Sequence, residues 1–320
     1  MTQPTVTLGA SAMRITPVGV GTAPIGSTPG WRINWGPQDE GDAIRAIQTA
    51  IEMGVNWIDT APFYGWGRAE EIVGRSVRDR RDRVYIFTKC GTVQGQQGQE
   101  VENLTPASIR REVEASLRRL QTDHIDLLQF HDSDLATPIE ESWATMQALI
   151  AEGKVRYGGL SNHPIPLVER ARTVGPVVAH QHQYNMLHRD IERDILPFSR
   201  ERGIGVLAWS PLASGFLIDS FDLARLTSDD FRLGSPFARE PLWSKLQELR
   251  ATLRAIAHGR GKRMEELAIA WLLSQPGLTG AIIGVRDDQE AARMTGGMEW
   301  TLTDEEASAV ANALAAWAED

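Results

Sequence analysis

Cysteine is nearly missing from this chain. Cys90 is the only one in 320 residues, so an intrachain disulfide and a thiolate-built zinc site are both excluded. Long apolar runs are missing too, and none approaches the roughly 18 residues of a membrane span. The opening segment, MTQPTVTLGA, lacks the basic start and apolar stretch of a signal peptide. Positive charge is in short supply: 33 Lys and Arg face 42 Asp and Glu, for a net charge of −9 and a pI of about 5.4. Phosphate binding calls for a basic face, so neither nucleic acid nor an anionic membrane is expected as a partner. Lysine is the scarcer cation, present only at positions 89, 154, 245 and 262. The expectation is a soluble, cytoplasmic protein that acts on a small molecule.

What the chain does have is alternation. Short apolar, β-branched runs occupy 18–22, 55–59, 84–89, 125–131, 155–161, 177–181, 204–210 and 280–284. Amphipathic helical stretches lie between them, at 40–53, 69–78, 106–120, 139–152, 164–174 and 190–202, then 241–258 and 263–275. Strands alternating with helices imply parallel strands joined by crossovers, and eight of them imply a closed (β/α)8 TIM barrel. A single domain over 1–320 is expected, with an N-terminal β-hairpin within 5–16 and extra C-terminal helices. Thr105-Pro106 starts a helix, and Gly54 and Gly153 end two. A Rossmann domain fits poorly. Its phosphate fingerprint would fall on Gly19, Gly21 and Gly26, where the last spacing is wrong and Pro24 precedes no helix. The irregular stretch 213–238 is long enough to be a lid.

Active sites of such barrels lie at the C-terminal ends of the strands. Three consecutive strands end in chemistry: the second at Asp59, the third at Lys89, the fourth at His131. Side chains alternate with period two. Trp57 and Asp59 therefore share a face, as do Phe87 and Lys89, and Gln129 and His131. If those faces point inward, an acid, an amine and an imidazole meet at one rim, with Tyr64 in the following loop within reach. A desolvated lysine needs a counter-charge, and Asp59 supplies one. A nearby ammonium lowers a phenol's pKa, so Tyr64 is expected to be shifted down toward phenolate. The group suits proton transfer to an oxygen that gains charge as hydride reaches carbon, and the hydride must come from a cofactor.

These residues lie in GVNWIDTAPFYGWGRAEEIVG (54–74), IFTKCG (86–91), SLRRLQTDHIDLLQFH (116–131), EGKVRYGGLSN (152–162) and WSPLASGFL (209–217). With these motifs the chain resembles the aldo-keto reductases, nicotinamide-dependent barrel oxidoreductases, from about residue 13 to 312. The resemblance implies a catalytic tetrad of Asp59, Tyr64, Lys89 and His131, with Tyr64 as general acid in reduction and base in oxidation. It implies NAD(P)H-dependent, reversible reduction of aldehydes or ketones, with aldose or polyol substrates in range. It also implies a cofactor site. Ser161, Asn162 and Gln181 would hold the carboxamide, and Trp209 would stack on the nicotinamide ring. Ser210, Leu212, Gly215 and Leu217 would line the pyrophosphate, with 213–238 folded over it. Thr22 and Gly284 would complete the set at two strand ends. Arg286 would meet a 2′-phosphate, for which its planar fork is suited. Here the sequence departs from the family. Many members carry a basic or amide residue at the position of Glu290 and an Asn at that of Met294. An acid near the ribose favours a 2′-hydroxyl, so Arg286 and Glu290 point in opposite directions, with NADPH favoured over NADH. An alternative within the same fold is a cofactor-binding regulatory module like the potassium-channel β subunits, which an intact tetrad disfavours.

Other residues are read as follows. His180 and His182 have a metal-capable spacing but share the face opposite Gln181, so packing against the helices is expected, and no metal site is proposed. Cys90 follows Lys89 and so points away from the rim, an inert thiol. Trp31, Trp35 and Trp66 belong to rim loops, where flat rings suit sugars or aromatic aldehydes. Trp31 and Trp66 are the substrate-binding candidates, and Arg32 is placed to receive an anionic group. Sequence leaves the oligomeric state open.

Overall fold

The computed structural model describes residues 3–318. Eight parallel strands close into a barrel: β3 (Val18–Gly21), β4 (Trp57–Asp59), β5 (Tyr85–Cys90), β8 (Ile125–Phe130), β9 (Val155–Ser161), β10 (Ala179–Gln183), β11 (Gly205–Trp209) and β12 (Leu278–Gly284). All eight coincide with the expected runs. The chain is a (β/α)8 TIM barrel, with β12 returning to pair β3.

Local chemistry sets the helices. Helix α1 (Glu40–Glu52) is capped by Asp39, whose carboxylate accepts from Asp42 N. Helix α2 is Arg68–Ser76. Helix α3 (Pro106–Leu120) has the expected Thr105 cap and Pro106 at its first position. Then come α4 (Ile139–Ala151), α5 (Ile165–Arg172), α6 (Ile195–Glu201), α7 (Leu242–Gly259) and α8 (Met264–Leu273). Gly54 and Gly153 take the left-handed conformation at their helix ends, φ 96° and 76°. The extra C-terminal helices are α9 (Asp288–Met294) and α10 (Asp304–Ala318). The apolar faces of strands and helices meet in a continuous outer core.

A second core fills the barrel itself. Trp57, Phe87, Leu127 and Leu207 interdigitate there. Beneath them the hairpin of β1 (Val6–Thr7) and β2 (Arg14–Ile15) closes the bottom, adding Leu8, Met13 and Ile15 to the same cluster. Gly19 exists for this packing, since a Cβ there would sit 2.2 Å from the Trp57 ring. Its role is space, not phosphate. Trp57 Nε1 donates to Thr16 O at 2.8 Å, which satisfies its one polar atom.

One element was not anticipated. After β5 the chain makes a hairpin of β6 (Thr92–Gln94) and β7 (Glu100–Glu102), antiparallel, at the catalytic end. The 213–238 stretch holds four short 3₁₀ turns. It is tied to the first loop, where Phe231 N donates to Asn34 O at 3.1 Å and Asn34 Nδ2 to Asp229 Oδ2 at 2.6 Å.

Candidate active site

Lys89 points into the barrel and is 1% exposed. An ammonium has three donors, and all three are used: on Asp59 Oδ1 at 2.5 Å, Thr60 O at 3.0 Å and Tyr64 Oη at 3.2 Å. Asp59 ends β4. Its Oδ2 accepts from Gln181 Nε2 at 2.9 Å and from Gln129 Nε2 at 3.3 Å. Side chains from β4, β5, β8 and β10 therefore form one polar layer above the apolar plug. A buried ion pair persists only when its remaining lone pairs and protons are also satisfied, and here they are. Burial works against the Lys89 ammonium, but the Asp59 charge and the Tyr64 contact outweigh it and raise its pKa. The lysine stays charged.

Tyr64 sits in the turn between β4 and α2. Two glycines place it. A Cβ on Gly26 would meet Tyr64 C at 2.7 Å, and one on Gly65, φ 62°, would meet Gly26 O at 2.1 Å. The backbones of the first two rim loops touch there, and only glycine permits it. The expectation of a lowered Tyr64 pKa is corrected by the structure. Burial is the largest influence and raises it; Lys89 pulls it down, Asp59 cancels part of that pull, and the net direction is up. The phenol is held protonated.

His131 follows β8, its N–H bonded to Cys90 O at 2.9 Å. Its ring stands edge-on to Tyr64, centroids 5.9 Å apart and planes at 79°. Burial, and then the Lys89 charge, hold its pKa well below the usual histidine range. It is a neutral imidazole, able to donate one N–H. The three residues singled out at strand ends and Tyr64 in the loop after β4 thus converge on one rim.

The implied cofactor residues occupy the adjoining rim. Ser161 ends β9, and its buried Oγ has no hydrogen-bond partner. Asn162, φ 57°, donates to His131 O at 3.3 Å and accepts from Trp209 Nε1 at 3.0 Å, so the indole is fixed at the end of β11. A buried hydroxyl without a partner, beside a clamped aromatic ring, fits a nicotinamide carboxamide and ring. Thr22 binds Asp59 O through both N and Oγ1, which makes it a support for the aspartate. Ser210 Oγ accepts from Ser214 N at 3.0 Å. Leu212 is half-buried and Leu217 is fully buried in the outer core, and Gly215, φ 95°, lies against the Arg232, Ile218 and Phe221 side chains. Gly284, at the end of β12, is exposed.

Arg286 and Glu290 both have partners within the protein. Glu290 Oε2 turns back to accept Arg286 N at 2.9 Å. The Arg286 side chain bonds Gln38 Oε1 at 3.1 Å and Pro37 O at 2.6 Å. Arg32 does not await an anion either: it forms a two-point ion pair with Glu100, at 2.8 and 2.6 Å. Trp31 is 4% exposed and packs on Phe63 and Tyr64, centroids 5.5 and 6.2 Å away. Trp66 stands perpendicular to Phe63 at 5.3 Å. Trp35 lies between Phe231 and the Arg232 guanidinium, in the contact that joins the two long loops. His180 and His182 face away from the axis, bonded to His163 O and to each other. Cys90 is buried, its thiol pushed well above the ordinary range by burial and the Glu112 and Glu70 charges.

Sequence reasoning missed Gln129, which shares an inward face with His131 and tethers Asp59. It also missed Phe63, whose ring packs against Trp31, Tyr64, Trp66 and His131. The signal for Gln129 was a polar residue at an inward position of an apolar strand.

Comparison with known proteins agrees with this geometry. Residues 17–315 match the model of the Aldo/keto reductase family. The chain belongs to this family. The aldo-keto reductase YhdN of Bacillus subtilis is 35% identical over 302 residues, covering 93% of this chain and 88% of that protein. The structure of a glycerol dehydrogenase from Gluconobacter oxydans superposes with a TM-score of 0.90 at 34% identity, covering 100% of this chain and 98% of that one. An aldo/keto reductase from Klebsiella pneumoniae, solved with NADP and acetate, gives a TM-score of 0.74 at 27% identity, covering 97% of this chain and 95% of that one. An aldo-keto reductase is an oxidoreductase, so the chain is an enzyme, and its relatives support use of a nicotinamide cofactor. No described helix is long and apolar enough to cross a membrane.

Proposed function

We propose that this aldo-keto reductase, one domain over residues 1–320, reversibly reduces small aldehydes and ketones to alcohols, with Tyr64 as the proton donor and acceptor. The observation that carries the reading is the saturated chain from Gln181 and Gln129 through Asp59 to Lys89 and Tyr64 Oη. Nicotinamide, when bound, supplies the hydride. Every other task falls to side chains of this protein. His131, neutral, donates to the substrate oxygen and turns the carbonyl toward Tyr64. Tyr64, kept protonated by burial, delivers its proton as negative charge develops on that oxygen. Lys89 stabilises the phenolate left behind, and Asp59 keeps the lysine charged and oriented. In oxidation Tyr64 takes the proton back.

Ser161, Asn162 and Gln181 would hold the carboxamide, and Trp209 would present its face to the ring. Trp31 and Trp66 would wall the substrate. NADPH is the favoured cofactor. Glu290 is spent on the Arg286 N–H, and the tethered Arg286 guanidinium keeps unused N–H donors for a 2′-phosphate. The similarity to a glycerol dehydrogenase supports polyols and their aldehydes as substrates.

The test is Tyr64→Phe. Carbonyl-dependent NADPH consumption should fall by about 10²–10⁴-fold, while NADPH binding and Tm stay as in the parent. Retained turnover would remove Tyr64 from the chemistry. Running the same assay with NADH settles the cofactor preference.

A further inference from the structure

The turn that follows β9 is held by two buried histidines that the proposed chemistry does not use. β9 ends at Ser161, and Asn162 takes a left-handed conformation, φ 57°. A residue other than glycine stays in that region only where its surroundings over-determine it. Asn162 N is bonded to Gln181 O at 2.9 Å, and its side chain to His131 O and Trp209 Nε1. The carbonyls of the residues on either side are both taken by imidazoles. His163 Nδ1 donates back to Ser161 O at 2.6 Å, and His180 Nε2, from β10, donates to His163 O at 2.9 Å.

A carbonyl oxygen only accepts, so each of these ring nitrogens carries its ring's proton. The opposite nitrogens, His163 Nε2 and His180 Nδ1, are buried and have no partner. Both rings are fully buried, and burial pushes the His163 pKa down to about 4 and that of His180 well below the usual range. Both are neutral donors whose one N–H is spent on this turn; His182 Nε2, 2.7 Å from His180 Nε2, shares the second. An imidazole with an unpaired buried nitrogen is a costly filler where an apolar ring would pack without one. What the two rings secure is the placement of Ser161, whose buried Oγ has no partner, and of the Asn162 amide. We propose that His163 and His180 are positioning residues for the nicotinamide carboxamide: from the outer side of the barrel wall they lock the Ser161–Asn162 turn in the conformation that presents both side chains to the cofactor. The proposal rests on the reading of Ser161 and Asn162 as the carboxamide site.

The experiment exploits side-chain isosteres. Asparagine places an amide N–H where histidine has Nδ1, and glutamine places one near the reach of Nε2. His163→Asn and His180→Gln therefore keep the donor each position uses, whereas His163→Phe and His180→Phe keep a ring and remove it. Wild type and the four variants are titrated calorimetrically with NADP⁺ and with adenosine 2′,5′-bisphosphate, which carries the adenosine end and no nicotinamide; NAD⁺ and ADP replace them if wild type prefers NAD⁺. His163→Phe should weaken the dinucleotide by about tenfold and His180→Phe by about threefold. The conservative variants should return to within about twofold of wild type, and the nucleotide without nicotinamide should bind every protein alike. Equal losses on both nucleotides would make the histidines merely structural and overturn the proposal. So would an unchanged dinucleotide affinity in both Phe variants, or no recovery in the conservative ones. If His163→Phe does not fold, the two His180 variants carry the test with the same readings. Wild type that binds neither NADP⁺ nor NAD⁺ would remove the cofactor reading and this proposal together, whereas tight binding that neither Phe variant weakens would remove the proposal alone.

Discussion

The two ends of the barrel each bury an aspartate, and they use it differently. At the C-terminal end Asp59 holds Lys89, and the last ammonium donor goes to Tyr64 Oη, an atom that also faces the site. At the N-terminal end Asp126, near the start of β8, accepts from Arg81 Nη2 at 2.7 Å, Ile86 N at 2.9 Å and Arg156 Nη1 at 2.9 Å. Arg81 spends its other donors on Thr122 Oγ1 and Val84 O. That lower network closes on the protein's own groups. The upper one is saturated up to the phenol and open beyond it. The physics of desolvation is the same at both ends, and openness at one atom separates the proposed reactive cluster from a structural one. Conserving chemistry at the strand C-termini and stability at the opposite face is the general division of labour in these barrels.

Three substitutions sharpen the contrast. The largest effect is expected from Lys89→Met. It strands Asp59 as a buried carboxylate without its cation, so stability should fall by about 3–5 kcal/mol and kcat by about 10² or more together. Urea unfolding and turnover measured on one preparation would show it; loss of activity with undiminished stability would mean that Asp59 is not paid for by this lysine. Next comes Asp126→Asn. Chemical unfolding should register a loss of about 1–3 kcal/mol, with kcat/KM unchanged. A fall in kcat/KM would show that the lower network reaches the site and would break the comparison.

The smallest effect concerns pH. Glu112 lies behind β5, 8% exposed, accepting from Gly91 N and Ser108 Oγ at 2.9 and 3.0 Å. Among the described residues it has no ion-pair partner. Burial, opposed by those two bonds, pushes its pKa from 4.5 up to about 7. The folded state therefore holds this proton more tightly than the unfolded state does. The resulting stability is fully present below pH 4.5 and is lost as pH rises through about 7. Wild-type Tm should drop between those limits, and Glu112→Gln should flatten the drop. Parallel profiles for the two proteins would show that Glu112 does not titrate in this range.

Much of the site was legible before any coordinates. Asp59, Lys89 and His131 stand at the ends of apolar strands, where period-two alternation puts them on the inner face with Trp57, Phe87 and Gln129. The β6–β7 hairpin was not legible, because TVQ and EVE are three residues each, too short for their polar–apolar–polar pattern to read as strands.

Local pattern therefore determined the architecture and the placement of the candidate site residues. Strand-helix alternation, the cap at Thr105, and chemistry placed at strand ends all act within a few residues, and a linear reading captures them. Folding decided how those groups behave. Tyr64 ends with a raised pKa because desolvation exceeds the pull of Lys89, a balance set by how much water the barrel excludes. Arg286 is bound to Gln38, 248 residues away in the chain, and Arg32 to Glu100, 68 away. Which charges are spent and which remain for a ligand depends on partners brought together by closure of the barrel, and no local spacing encodes that.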